Sequence, residues 1–402
     1  MNKESQANTQ SLLAEAKRSI LFTTTRPDVV MARGEGMYLW DTEEKRYLDF
    51  VGGWAVTSLG HSPDCISRAL AQQSAVLVNA SPSFYNIPMI EYAKLLTEQS
   101  CFDRVFFASS GAEANEGAIK LARKYGALHR AGAFEIITTI NSFHGRTLAT
   151  MSATGKKKWQ SLFEPKVPGF VHVPLNDFTA IKAAVNERTC AVMLEPIQGE
   201  GGVFEVDGDY IRQLRQLCDE QGILLIFDEV QTGLARTGKL FAYQHYGVEP
   251  DVMTLAKGIG GGFPLAALLV KERFNIFEAG DQGGTYSGQP LAMAVGLAVV
   301  REVLAKNLAD NATRQGLYIQ KKLRELAAKF RLTQIRGKGL LIAFDLPTEQ
   351  GAAVVAACLR RGLLINSPQP SMIRLMPALI VGEAEIDAMV EILEQAMTEV
   401  LG

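Results

Sequence analysis

What the sequence has little of narrows its function first. Its five cysteines, Cys65, Cys101, Cys190, Cys218 and Cys358, stand singly and without CxxC spacing. An odd, scattered set of this kind excludes a disulfide frame and points to a reducing cytoplasm. The five histidines form no HxxxH or comparable pair, which argues against a metal centre. Long hydrophobic runs are missing too: stretches such as Phe263 to Val270 fall far short of a membrane span. The formal net charge is -2 and the pI about 6.3, so no basic field invites nucleic acid or an anionic membrane. A small-molecule substrate is the expectation that remains. No internal repeat or low-complexity linker interrupts the chain, and the opening MNKESQANTQ is too polar to read as a signal peptide.

What is present is ample material for a core, with 402 residues of which 47% are hydrophobic. Residues 12–21 place Leu12, Leu13, Ala16, Ile20 and Leu21 on one helical face, predicting a short amphipathic helix. VVMARGEGMYLWDTEEKRYLDF then reads as a β-meander with turns at Gly34–Gly36 and Asp41–Lys45. From about residue 60, the short apolar runs RVFFA, EIITTI, FVHV, CAVMLE, ILLIFDE, DVMTLA and AALLV alternate with helical stretches. That alternation predicts an α/β fold, a mainly parallel sheet covered by helices on both faces. After Pro290 a long alanine-rich helical region begins, followed by the strands GLLIAFDL and MIRLMP and a helix from Glu383. The expected division is 1–58 as helix and meander of a small domain, 59–296 as the large domain, and 297–402 as the rest of a smaller α+β domain.

Two residues at strand ends carry the chemistry. Asp228 closes the apolar run ILLIFDE, and ligands collect where parallel strands end. A carboxylate buried there needs a cationic partner, and the protonated ring nitrogen of pyridoxal phosphate (PLP) is one such partner. Lys257, in TLAKGIGGG at a second strand-to-loop junction, can supply an amine for covalent attachment. Taken singly, each also reads as an ordinary solvated charge. RVFFA runs through Ser109, Ser110, Gly111 and Ala112 into a helix, where free N–H groups form either an anion site or plain capping. In INSFHGRT, Phe143 can stack on a flat ring and Arg146 can grip a carboxylate, or the pair is a core plug beside a surface arginine. Two glycine-rich segments mislead. GLARTGK matches GxxxxGK but continues with Leu240, where magnesium coordination needs Ser or Thr, and KGIGGGFP lacks the GxGxxG order.

With SSGAEANEGAIKLAR, NSFHGRT, EPIQGEGG, FDEVQTG, AKGIGGGFP, TYSGQP and IRLMP in this order, the chain resembles the class III aminotransferases of PLP fold type I. The resemblance runs from the YLWD meander to the terminal helix. It implies PLP as cofactor, with Lys257 as the lysine joined to it and as proton shuttle. It implies Asp228 at the ring nitrogen, Gln231 at the phenolic oxygen, Phe143 and Val230 on the ring faces, and Ser110, Gly111 and Ala112 at the phosphate. Thr285 would reach the phosphate of a neighbouring subunit, which makes a homodimer the expected unit. Arg146 would hold a substrate carboxylate. Glu200 and Arg374 would form a switch that opens for a dicarboxylate. The implied reaction moves the terminal amino group of N-acetylornithine, or a similar ω-amino donor, to 2-oxoglutarate; ornithine, 4-aminobutyrate or a diamine are the alternative donors, and a non-catalytic PLP- or phosphate-binding module is the alternative from outside enzymes. The chain departs from the family wording at GTYSGQP, where Gly284 lacks a hydroxyl and Gln289 replaces asparagine, and at NASPSFYN. Trp54 stands at a position that shapes the substrate channel, where family members carry isoleucine or tyrosine.

Overall fold

The continuous apolar runs assemble into one seven-stranded sheet, as runs buried on both faces should. In the computed structural model, which describes residues 3–402, its order is Arg104–Ala108, Ala266–Val270, Val252–Leu255, Leu224–Asp228, Thr189–Leu194, Glu135–Thr139 and Phe170–Val173. Ala266–Val270 runs antiparallel to both neighbours and the pairings beyond it are parallel. Successive side chains go to opposite faces. Leu225, Phe227, Met253 and Leu255 join a large apolar cluster, whereas Leu224, Ile226, Val252 and Leu268 pack with Ala118, Leu121 and Ala122 of the helix Gly111–His129. Because both faces are covered, neither can tolerate polar alternation, which is why these strands are legible as unbroken apolar words.

The N-terminal meander forms as expected, with strands Met31–Glu35, Tyr38–Asp41 and Arg46–Asp49. A short strand from the other end of the chain, Leu363–Leu364, extends it in parallel through Leu363 opposite Leu48. Thr333–Lys338, Leu341–Asp345 and Met372–Leu375 make a separate antiparallel sheet, and the last helix is Glu383–Leu401. Some expectations need correcting. The first helix covers Lys3–Ser19 instead of 12–21, and Leu21 lies beyond it, 82% exposed, so its apolar stripe is not buried within this chain. The helix opened by Pro290 ends at Ala305, and Asn307, at φ 49, breaks it from Leu308–Phe330. Thr333–Lys338 (TQIRGK) is too polar to announce a strand and exists through its pairing with Leu341–Asp345. GLARTGK opens no helix: it is a chain of turns with Leu234 and Ala235 at φ 50 and 66, and Arg236 is buried against the carbonyls of Leu340 and Pro377.

Candidate active site

Strand ends converge on one cavity of about 390 Å³, within the usual range for small-molecule sites. Ala108 leads into Ser109 and Ser110, Thr139 into Phe143, Leu194 into Glu195, Leu255 into Lys257, and Asp228 is itself a strand terminus. Ser110, Gly111, Ala112, Phe143, Arg146, Glu200, Asp228, Val230, Gln231 and Lys257 all line the cavity. Arg374 stands behind Glu200, and Trp54 lies at the rim beside Arg374. Thr285 is not brought in; it sits on an exposed loop.

At the floor, Asp228 is 3% exposed. Its Oδ2 accepts hydrogen bonds from His144 Nδ1 and Asn115 Nδ2, both at 2.8 Å, and its Oδ1 accepts the Val230 backbone N–H at 3.0 Å. Asn115 is fixed in turn, its Oδ1 accepting from the Thr254 hydroxyl at 2.6 Å and its Nδ2 donating to the His144 carbonyl at 2.7 Å. Oδ1 of Asp228, with a single donor, keeps acceptor capacity for a further cationic donor. Lys257 adopts φ 47, a conformation uncommon outside glycine, directly after its strand. Burial pulls the proton affinity of its amine down, opposed by Glu200 and Asp228 and reinforced by Arg374. A lysine so placed is a nucleophile and proton carrier nearer neutral pH than a solvated one. Glu195, which accepts the Phe143 N–H at 3.0 Å, is pushed upward by the same burial.

At the opposite end, Ser110 caps the helix Gly111–His129, and its hydroxyl is engaged with Glu113, to which it donates at 3.0 Å. Glu113 also takes the Ser109 N–H at 2.9 Å. Anion binding therefore falls to backbone amides, that of Ser110 and the first-turn amides of Gly111 and Ala112, which have no intrahelical acceptor. A Cβ on Gly111 would stand 2.9 Å from Val230 Cγ1, so the glycine is what lets Val230 close over the slot. Gln231 Oε1 is buried without a partner, and one Gln231 N–H reaches the Trp54 carbonyl at 3.4 Å, leaving a second N–H. An anion cradle, a slot between Phe143 and Val230, and a buried carboxylate opposite a lysine fit a flat, anionic, cationic-ringed molecule such as PLP.

Glu200 sits in the tight turn between Ile197–Gln198 and Phe204–Glu205. Gly199 makes that approach possible, since a Cβ there would fall 1.6 Å from Gln231 Oε1. Glu200 Oε1 accepts from Arg374 Nη2 at 2.7 Å, and its Oε2 lies 3.5 Å from Lys156 Nζ. Burial alone would raise the Glu200 carboxyl; Arg374, Lys156 and Lys257 overcome it and hold it at about 2. The Arg146 guanidinium lies 4.8 Å from the Trp159 ring centre, and Lys156 Nζ lies 5.5 Å from the same ring. Gly52, Gly53, Trp54 and Ala55 all have φ between 57 and 68, a left-handed turn that presents the Trp54 ring to the rim. Sequence reasoning passed over Asn115, Glu195 and Lys156. Asn115 lies one helical turn past Gly111, a spacing that could have flagged it; Lys156 heads the run KKK and looks like any solvated cluster.

The aminotransferase class-III family pattern matches residues 23–397. This chain is a class-III aminotransferase. The aminotransferase is 52% identical over 385 residues to acetylornithine aminotransferase 2 of Bordetella pertussis, a match covering 95% of this chain and 97% of that protein. Its fold superposes on the crystal structure of ornithine aminotransferase from Toxoplasma gondii with a TM-score of 0.93 at 30% identity, over 98% of this chain and 95% of that one. With acetylornithine aminotransferase from Elizabethkingia anophelis the TM-score is 0.86 at 32% identity, over 97% and 99% of the two chains. The enzyme class and the α/β transaminase fold implied by the ordered motifs therefore hold.

Proposed function

We propose that the enzyme holds PLP in the strand-end cavity and moves the terminal amino group of N-acetylornithine to 2-oxoglutarate, giving a semialdehyde and glutamate. PLP, when bound, supplies an electron-accepting ring that stabilises negative charge on the substrate carbon that loses its proton. The chain's own residues do the rest. Lys257 would hold the cofactor covalently, and its amine would carry the proton between the two reacting carbons. Asp228 keeps the ring nitrogen protonated, with His144 and Asn115 fixing its carboxylate. Gly111, Ala112 and Ser110 would receive the phosphate, Phe143 and Val230 would flank the ring, and the free N–H of Gln231 would serve the phenolic oxygen. Arg146 grips the donor carboxylate. Glu200 neutralises Arg374 for the monocarboxylate donor and releases it for 2-oxoglutarate, because a lone buried guanidinium is costly.

The observation that carries the donor assignment is the charge of the mouth. Arg146, Lys156, Lys257 and Arg374 surround a single ionised switch carboxylate, Glu200. A free α-ammonium entering beside Arg146 meets like charge, and N-acetylation removes it. Donors carrying a carboxylate and an ω-amine should also outrun simple diamines. Measured kcat/KM values for N-acetylornithine, ornithine, 4-aminobutyrate and putrescine test this, with N-acetylornithine expected first. Ornithine is the second reading, favoured by the fold match to the Toxoplasma gondii enzyme; ornithine at the head of that series would replace the first.

The proposal includes a homodimer in a reducing cytoplasm, the latter supported by five free cysteines. Thr285 lies next to Tyr286, 60% exposed, beside a cleft lined by Tyr85, itself 86% exposed. So much aromatic surface suits a subunit interface, across which Thr285 reaches the phosphate of a second copy. Mechanically, 1–58 and 297–402 act as one small domain against 59–296, supported by the pairing of Leu363–Leu364 with Arg46–Asp49.

A further inference from the structure

We propose that Lys156 is a specificity-determining positioning residue that holds the Glu200 carboxylate when Glu200 releases Arg374 for the second carboxylate of the acceptor. This rests on the switch reading of Glu200 and Arg374, and it identifies where the released carboxylate goes.

Arg374 is 0% exposed, and besides Glu200 it donates to the Gly199 carbonyl at 2.7 Å and to Asn366 Oδ1 at 3.2 Å. With Glu200 gone, the guanidinium would still be held in place. Glu200 has no such tether. Its side chain is 24% exposed and its hydrogen-bonding partners among the described residues are Arg374 and Lys156. The glutamate is therefore the moving part. A half-buried carboxylate that leaves its cation for no other would be destabilised. Lys156 already lies 3.5 Å from the oxygen that Arg374 does not use.

Lys156 is itself positioned. Gly155 before it is bridged to Ile140 and donates to Ser142 Oγ at 3.1 Å, while its carbonyl accepts from Asn141 at 2.9 Å. A Cβ on Gly155 would fall 2.2 Å from the Thr139 carbonyl oxygen, so this segment is pressed against the strand end. The ammonium lies 5.2 Å from the Phe143 ring centre and 5.5 Å from that of Trp159. Cation–π attraction there keeps it at the mouth instead of in solvent. Lys156 thus lowers the free energy of the open switch without touching the acceptor, and its effect falls on dicarboxylates.

The test uses protein loaded with pyridoxamine phosphate, so that the acceptor half-reaction needs no donor, together with calorimetric binding of glutarate, an unreactive dicarboxylate of the same chain length. Lys156→Gln is expected to weaken glutarate binding and the 2-oxoglutarate KM by about five- to tenfold, with a much smaller change in kcat. The donor half-reaction should fall less, and Lys156→Arg should restore the acceptor step. In a Glu200→Gln background the same substitution should change glutarate binding by less than about twofold, because no carboxylate remains to be held. Unchanged glutarate binding in Lys156→Gln overturns the proposal. So does an equal loss in the Glu200→Gln background, which would mean that Lys156 contacts the substrate itself. Failure of N-acetylornithine as donor would sink only the donor assignment, whereas wild-type protein that binds no glutarate overturns the switch and this proposal with it.

Discussion

The floor and the mouth of the cavity both centre on a carboxylate, and they are built in opposite ways. Asp228 accepts from three donors, one on the helix Gly111–His129 and two on loops that follow strand ends, and is 3% exposed. Glu200 divides its oxygens between two cations and leaves a quarter of its side chain in solvent. A buried carboxylate that is the acceptor of three fixed donors is rigid, because any displacement leaves a donor without an acceptor. A carboxylate between two cations can change partner without ever being unpaired. On the proposed switch, fixed charge sits where the chemistry is common to both substrates, and movable charge where the substrates differ.

The largest way to break this contrast is at the residue both ends face. Lys257→Ala should lower both half-reactions by at least about 10³-fold, and borohydride reduction followed by peptide mass mapping should find no cofactor linked to the chain. A label that persists would take Lys257 out of the role. Asp228→Ala should slow both half-reactions alike by roughly 10²-fold or more and destabilise the fold by about 2 to 4 kcal/mol, since His144, Asn115 and Val230 lose their acceptor. Single-turnover rates in each direction and a thermal melt check it; damage to one half only would erase the distinction between floor and mouth. Arg374→Ala, by contrast, should separate the halves, weakening 2-oxoglutarate use by roughly 10- to 100-fold and the donor step much less. Glu200→Ala should bind dicarboxylates more readily and perturb the donor step.

A smaller effect concerns pH. Glu200 is held at about 2 against an ordinary 4.5, so its contribution to stability is complete above the ordinary value and is lost as pH falls through about 2. The ratio of the two half-reactions should therefore show no titration of Glu200 between roughly pH 5 and 9, as a series of single-turnover measurements would reveal; a step in that ratio that vanishes in Glu200→Gln would contradict it. The smallest effect belongs to Trp54. At φ 68 a branched replacement is strained, so Trp54→Gly removes the ring without that complication. It should change the preference between N-acetylornithine and ornithine by less than about tenfold. A larger swing would make the rim, and not the cation cluster, the selector.

The strands of the large sheet were legible because burial on both faces writes an unbroken apolar word. Asp228 and Lys257 were legible because a charge at the end of such a word is out of place. Thr333–Lys338 was not, since an edge strand can hold itself by backbone pairing alone and its side chains carry no pattern. Lys156 was hidden for a different reason: its neighbours Lys157 and Lys158 have the same charge, and only the return of the chain beside Glu200 tells one lysine from the next. The overlong first helix reflects propensity that continues upstream of the apolar stripe on which the sequence reading relied.

The convergence of strand ends also orders events in time. The cavity draws on strands ending at Ala108, Thr139, Leu194, Asp228 and Leu255, so a partly folded chain has no cradle to offer. Contacts this distant in sequence form slowly, and a ligand that binds only the finished sheet stabilises it by mass action, about 4 kcal/mol at a thousand times its Kd. On a chain made from its N-terminus, Lys257 leaves the ribosome after Ser110, Phe143, Arg146, Glu200, Asp228 and Gln231. Attachment at that amine, as proposed, therefore follows the synthesis of most of the lining groups, yet it still waits on Ala266–Val270, the strand made after Lys257 that joins Arg104–Ala108 to the rest of the sheet.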